Sequence, residues 1–240
     1  MRISETHFGF PRGGEKDVQG TNARAMTEAI RVALVEDDKR LQQALVFQLN
    51  TIGFQVTPHS SAEEFLKATG ISAFDCVVVD NFLPRMNGLQ LQAALCRTVP
   101  FASIVFISGN SDLSLGMHAM RKGAVDFLEK PLDEEVLVSS IIRGANLSRK
   151  LRAEHDQRIE LEGRLGELTP REHEVFTLIT TGRLNKQVGA ELGTTERTVK
   201  AHRERVMIKM KADSLAGLVR MSGILELHST RTRSGLGGIK

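Results

Sequence analysis

The chain has 240 residues, 41% of them hydrophobic and 25% charged, which is enough to bury one or two ordinary cores. No apolar run reaches the roughly 20 residues that a membrane-spanning helix needs. Residues 1 to 31 carry Gly, Pro and charges but no apolar stretch of the kind a secretory signal has, so the expectation is a cytoplasmic protein with no membrane partner. The net charge of +3 conceals an asymmetry, because residues 30 to 143 hold 10 Lys and Arg against 13 Asp and Glu, whereas residues 144 to 240 hold 18 against 12. A basic half joined to an acidic half points to a nucleic-acid module attached to something that handles cations or phosphate.

Residues 1 to 29 show no sustained period of 2 or 3.6 and read as a flexible lead. From Arg31 a regular alternation begins: strand 32–35, helix 39–50, strand 54–57, helix 62–68, strand 76–79, helix 89–97, strand 104–107, helix 113–122, strand 125–128 and a helix from residue 133. Five successive strand-helix units predict a doubly wound, flavodoxin-like five-stranded parallel sheet over residues 30–145. Its central strands are apolar throughout, as strands covered on both faces should be. Residues 138–168 are rich in Arg, Lys, Glu and Leu, with apolar residues at Ile141, Leu147, Leu151, Ile159, Leu161 and Leu165, so residues 146–167 read as a long helical linker.

A second, all-helical domain of four helices is expected over residues 168–227. It opens at Thr169-Pro170-Arg171-Glu172, where Thr169 can cap, Pro170 suits the first helical position and Glu172 completes a capping box. That helix ends at Gly182. Asn185 can cap the next, 186–192, and a turn at Gly193-Thr194-Thr195 leads into a third over 196–211, followed by a fourth over 215–225. Residues 228–240 read as a flexible Ser/Gly/Arg tail. The two cysteines, Cys76 and Cys96, lack metal-like spacing and read as buried reduced thiols.

The chemistry concentrates at strand ends. The apolar run Cys76-Val77-Val78-Val79 closes on Asp80, and the first strand closes on Glu36-Asp37-Asp38. An acid after a strand often only solvates a loop or caps a helix. Here, parallel strands would gather these carboxylates at one sheet edge, where they repel unless a cation is bound, and a hard divalent ion is the natural partner. Ser108 after the fourth strand and Lys130 after the fifth add a hydroxyl donor and an ammonium. The set suits a phosphoryl group on a carboxylate, with Asp80 as nucleophile.

The order of these residues, an acid pair, then Asp80-x-x-x-Pro84-x-x-x-Gly88, then Ser108, then Lys130-Pro131, resembles the receiver domain of two-component response regulators. The resemblance implies that Asp80 accepts a phosphoryl group from a sensor histidine kinase. It also implies that Glu36 and Asp37 help bind Mg²⁺ together with Asp80 and the backbone carbonyl of Phe82. Ser108 and Lys130 would sense the phosphoryl group, the Lys130-Pro131 peptide would be cis, and Phe127 would be the aromatic switch, with plain core packing as its alternative role. Phe82 and Asn110 flank the site and would set the lifetime of the aspartyl phosphate by limiting water. Leu83 stands where relatives usually carry methionine. Glu36 stands where many carry aspartate, and its longer arm leads us to expect action on the metal through water.

Helix 196–211 holds Arg197, Lys200, Arg203, Arg205, Lys209 and Lys211. A basic helix is often just a solvated face. However, Asn185-Lys186-Gln187-Val188-Gly189-Ala190-Glu191-Leu192-Gly193 followed by Arg197-Thr198-Val199-Lys200-Ala201-His202-Arg203 resembles the four-helix LuxR-type helix-turn-helix domain. That implies duplex DNA as partner, with Lys200, Ala201, His202 and Glu204 near base edges and Thr198, Arg203 and Lys186 nearer phosphates. Gly189 replaces the usual alanine and should weaken its helix slightly.

The two halves together resemble a response regulator of the NarL/FixJ subfamily. The implied protein is not an enzyme but a transcription factor that forms a phosphorylation-dependent homodimer through the face of helix 113–122 and the helix near residues 215–225, and that binds promoter DNA and RNA polymerase. Two alternatives remain at the level of sequence: the same architecture used without phosphorylation, and a flavodoxin-like phosphohydrolase with a helical tail.

Overall fold

The computed structural model describes residues 29–109 and 113–235. The expected lead before residue 29, the end of the tail after residue 235 and the proposed role of Asn110 lie outside the described residues. Two compact units part near residue 142, the 96–103 segment being counted with the second.

In the first unit the strands β1 (Arg31–Val35), β2 (Gln55–His59), β3 (Cys76–Asp80), β4 (Ile104–Ser108) and β5 (Asp126–Glu129) form one parallel sheet in the order β2-β1-β3-β4-β5. Every residue of β3 and β4 is buried, so their unbroken apolar runs face helices on both sides. The helices are α1 (Lys39–Ile52), α2 (Ala62–Lys67), α3 (Gly88–Thr98) and α4 (Leu113–Arg121), with a 3-10 turn at Ile71–Ala73 after α2. Val78, Val105, Ile107, Leu45, Leu49 and Ile141 belong to one core. Each such side chain, fully buried, contributes about 1.5–3 kcal/mol through loss of apolar surface from water. β1 and β3 are neighbours although β2 lies between them in sequence. This crossover point is where open α/β sheets place ligands, at the carboxyl ends of the strands.

The fifth helix and the expected linker are one element, α5 (Glu134–Gly166), 33 residues long and so about 50 Å. Nothing in the sequence breaks it before its end at Gly166: it contains no proline, and its internal glycines at 144 and 163 are tolerated within a helix anchored by the buried Leu137 and Ile141.

The second unit contains α6 (Pro170–Thr180), α7 (Asn185–Glu191), α8 (Glu196–Lys209) and α9 (Leu215–Gly235). Val175, Phe176, Ile179, Val188, Val199 and Val206 form its core. Three expectations shift. α8 stops at Lys209, with Lys211 in the left-handed region at φ 51°. α9 continues to Gly235, so residues 228–235 are helical where a tail was expected; with neither proline nor glycine between Ile224 and Ser234 there is no stop signal. Leu184, not Asn185, holds the cap position of α7, and its N–H donates to Gln187 Oε1 at 2.9 Å. Gly189 also has a role beyond helix propensity, since a Cβ there would lie 2.9 Å from the Thr194 carbonyl oxygen.

Cys76 is buried as expected, and burial pushes its thiol up to about 12. Cys96 is exposed, because on α3 it turns away from the buried stripe of Leu91, Gln92 and Leu95. An exposed thiol reacts and a buried one does not. One equivalent of a disulfide-forming thiol reagent should therefore react rapidly with the native protein at Cys96 and the second only on unfolding; two fast equivalents would contradict the burial of Cys76.

Candidate functional site

The register Val35↔Val79 brings the ends of β1 and β3 level, so the residues that follow, Glu36 and Asp37, stand beside Asp80. Carboxylate oxygens of these three lie within 4.8 Å of one another. Glu36 and Asp80 are buried, at 1% and 7% exposure, whereas Asp37 is exposed. Asp38 has a different task. Its Oδ1 caps α1, accepting from the N–H groups of Arg40 at 2.8 Å and Leu41 at 3.3 Å.

Lys130 enters this acid group from the end of β5. Its Nζ donates to Asp80 Oδ2 at 2.7 Å and to Glu36 Oε2 at 2.8 Å, bridging the two buried carboxylates. Burial pushes Glu36 above the ordinary carboxylate range, with the Asp80 charge adding to the effect and the Lys130 hydrogen bond opposing it. Burial alone would lower the Lys130 ammonium, but its hydrogen bonds to Asp80 and Glu36 outweigh that and hold it above the ordinary lysine value. The lysine is positioned by its own N–H, which donates to the Ser108 carbonyl at 2.7 Å, and by the cis Lys130-Pro131 peptide that follows.

The loop after β3 folds back on Asp80. Phe82 N–H donates to Asp80 Oδ1 at 2.9 Å while the Phe82 ring is half exposed, and Gly88 N–H donates to the Asn81 carbonyl at 3.2 Å. Gly88 is required by close approach: a Cβ would meet the Asp80 carbonyl oxygen at 2.9 Å and Phe106 Cε1 at 2.8 Å. Ser108 is fully buried at the end of β4, level with Glu129. Phe127 is half-buried and stacks on Phe106, with ring centroids 5.9 Å apart. α4 passes Phe127 at Gly116, where a Cβ would already lie 3.4 Å from the ring.

Sequence reasoning missed two of these supports. Gln42 donates from Nε2 to the carbonyls of Glu36 at 2.8 Å and His59 at 2.9 Å, tying the ends of β1 and β2. No local pattern marks that glutamine, whereas the glycine in helix 113–122 was a visible signal for Phe127's neighbour. All donors of the acid group are oxygen and anionic, which fits a hard divalent cation such as Mg²⁺.

In the second unit the capping box at Thr169 forms, with Thr169 N–H donating to Glu172 Oε2 at 2.9 Å and Glu172 N–H to Thr169 Oγ1 at 3.3 Å. Glu172 also receives Lys209 Nζ at 2.7 Å, so this lysine joins α8 to α6 and is not part of a free basic face. The Lys209 hydrogen bond, then those of Thr169, hold the Glu172 carboxyl down at about 2.

The remaining residues of α8 sort by face. Steps of about 100° per residue bring Val206 and Met210 back beside the buried Val199 and put Arg197, Ala201, Glu204 and Ile208 on the opposite side. All four are exposed, with the exposed Lys200 and Arg205 on the two flanks. Lys186 and Thr198 are exposed as well, the Thr198 hydroxyl lying 2.9 Å from that of Thr195. Arg203 is half-buried and donates to Asn185 Oδ1 at 3.2 Å, and His202 is half-buried with Nδ1 enclosed. These two therefore stand off the exposed stripe.

A doubly wound sheet with an acid group and a lysine at its carboxyl edge, followed by a helix-turn-helix with an exposed basic helix, defines a two-part regulator. Residues 32–142 match the response regulator receiver domain, and residues 166–222 match the bacterial regulatory proteins of the luxR family. Nodulation protein W of Bradyrhizobium diazoefficiens is 39% identical over 214 residues, 89% of this chain and 94% of that one. The transcriptional regulatory protein FixJ of Azorhizobium caulinodans is 35% identical over 82% of this chain and 93% of its own. The response regulator protein TodT of Pseudomonas putida is 36% identical over 84% and 89%. Among solved structures, the response regulator StyR superposes with a TM-score of 0.70 at 34% identity, covering 82% of this chain and 99% of that one. The chain belongs to the transcriptional response regulators that join a receiver domain to a LuxR-type DNA-binding domain.

Lys130 offsets the mutual repulsion of Asp80 and Glu36, so Lys130→Met should destabilise the first unit and Asp80→Asn should relieve much of that loss. Urea unfolding without divalent cation should give a coupling energy of about 1–3 kcal/mol in the double-mutant cycle; additive effects would contradict the bridge. In the second unit, Glu172 lies below its ordinary value of 4.5, so its contribution to stability is complete above pH 4.5 and lost as pH falls through about 2. An NMR titration of the Glu172 carboxyl should have its midpoint near 2 and move toward 4.5 in Lys209→Met; a wild-type midpoint near 4.5 would contradict the assignment.

Proposed function

We propose that the chain is a phosphorylation-controlled transcriptional regulator in which Asp80 is the phosphoacceptor, with a receiver over residues 30–145, a helical connection over 146–167 and a DNA-binding domain over 168–227. The observation that carries this is the convergence of Lys130 and the Phe82 N–H on the two oxygens of Asp80, beside Glu36 and Asp37.

Asp80 is held with one oxygen on a backbone amide and the other on the lysine, both of which stabilise negative charge. A carboxylate oxygen of Asp80 forms a bond to phosphorus as the phosphorus–nitrogen bond of a phosphohistidine on the sensor kinase breaks, its electron pair leaving with the imidazole. Asp37 and Asp80, with Glu36 and the Phe82 carbonyl, would hold Mg²⁺, which supplies charge neutralisation to phosphoryl oxygens when bound. Lys130 then exchanges its carboxylate contact for a phosphoryl oxygen, and Ser108 turns its hydroxyl toward another. Phe127, lying between Phe106 and the glycine of α4, follows Ser108 inward and alters the α4 surface through which two copies pair. The dimer presents two α8 helices to promoter DNA in the cytoplasm, where RNA polymerase is the downstream partner. Lys200, Ala201 and Glu204 face base edges and Lys186 and Thr198 face phosphates, while the half-buried His202 and Arg203 stand at the margins of that face, Arg203 beside Asn185.

The transcriptional regulators among its relatives support reading this chain as a regulator rather than a hydrolase of external substrates. With a small phosphodonor and Mg²⁺ the wild type should gain a hydroxylamine-labile phosphate and bind duplex DNA more tightly, while Asp80→Asn should do neither. Lys186→Ala should weaken binding to all duplexes alike and lower the salt-dependence slope by about one. Equal labelling of Asp80→Asn would overturn the phosphoacceptor assignment.

A further inference from the structure

We infer that Glu204 is a specificity determinant of the DNA-binding surface and that it selects a cytosine in the major groove. This rests on the reading of α8 as the helix that enters DNA, and it adds the base that one position reads.

The argument begins with charge. The unit that carries α8 has an excess of basic residues, as a partner of phosphates should. On the centre line of the exposed face, however, between the cations Lys200 and Arg205, stands a carboxylate. Among the described residues of this unit, Glu172 pairs with Lys209, Glu174 with Arg171 and Glu191 with Arg183. Glu204 has no ion pair or hydrogen bond among the described residues, although Lys200 is four residues before it and Arg203 beside it donates to Asn185. It is exposed and lines an open recess with Asn185, Lys200, Arg203, Met207 and Ile208 at the junction of α7 and α8.

A carboxylate in that place is repelled by phosphates and can only accept hydrogen bonds. The major groove offers just two donors, the N4 amino group of cytosine and the N6 amino group of adenine; guanine and thymine present acceptors at the matching edge. Adenine is matched by an amide, which can donate to N7 while accepting from N6. A carboxylate has nothing to give N7, so cytosine is its partner. Ala201, one turn earlier on the same line, is too short to compete for that amino group and leaves room for a base edge beside it. Glu204 thus acts by exclusion as much as by attraction, since a wrong base leaves a desolvated charge facing an acceptor.

Selection from a randomised duplex library by the full-length protein, activated with a small phosphodonor and Mg²⁺, tests this. The wild type should enrich a motif containing a cytosine that Glu204→Ala no longer demands, with roughly tenfold loss of discrimination at that position alone and unchanged or tighter binding to unrelated duplex. Glu204→Gln should change the preference at the same position to adenine. Both substitutions lie on an exposed helix face and favour helix, so folding is preserved. An identical motif from wild type and Glu204→Ala, or a changed position that is not cytosine, overturns the assignment while leaving DNA binding by α8 intact. Absence of salt-dependent duplex binding by the wild type would overturn both.

Discussion

The mutual repulsion of carboxylates at one sheet edge is the constraint around which the first unit is built. Glu36 and Asp80 are nearly inaccessible to water, and like charges so placed do not coexist without a cation. Lys130 supplies that cation from within the chain, at 2.7 and 2.8 Å. The same lysine is therefore a structural counter-ion in this structure, and in the function proposed above it becomes a ligand for phosphoryl oxygen. On that proposal a single side chain must satisfy two states, and what occupies Asp80 would decide where Lys130 goes.

Fold and site depend on each other through backbone proximity. Strand order brings β1 beside β3, and only then do Glu36 and Asp37 meet Asp80. The chain leaving Asp80 must turn sharply to present the Phe82 N–H to it, and Gly88 permits this because its missing Cβ would overlap the Asp80 carbonyl and Phe106. Phe106 in turn stacks on Phe127, which lies under Gly116 of α4. A contact chain thus runs from the acid group through two aromatic rings to a helix surface.

Much of this was legible in the sequence, and the reasons are physical. A buried parallel sheet needs uniformly apolar strands, so residues 76–79 and 104–107 announced themselves, and the acids, serine and lysine stood out because they interrupt that apolarity at strand ends. Capping chemistry is local, so Thr169 and Glu172 were readable as a pair. What stayed hidden depends on distance in space. Gln42 bridges two strand ends and looks like any helical glutamine, Lys209 reads as a basic-face residue until α6 is placed beside it, and Cys96 sits only a fraction of a turn from the buried stripe of α3. The end of α9 was misjudged because composition suggested a tail where the backbone meets no stop signal.

The DNA-binding half follows the same economy of charge. Lys209 and Arg203 are drawn inward to Glu172 and Asn185, which leaves a narrow exposed stripe and a smaller set of free cations than the sequence suggests. The central claim, however, concerns Asp80. Borohydride reduction of the phosphorylated full-length protein converts an acyl phosphate to the corresponding alcohol, and peptide mapping then locates it. The account predicts homoserine at position 80 and at no other aspartate; homoserine at Asp37 or Asp38, or none at all despite incorporated phosphate, would contradict it.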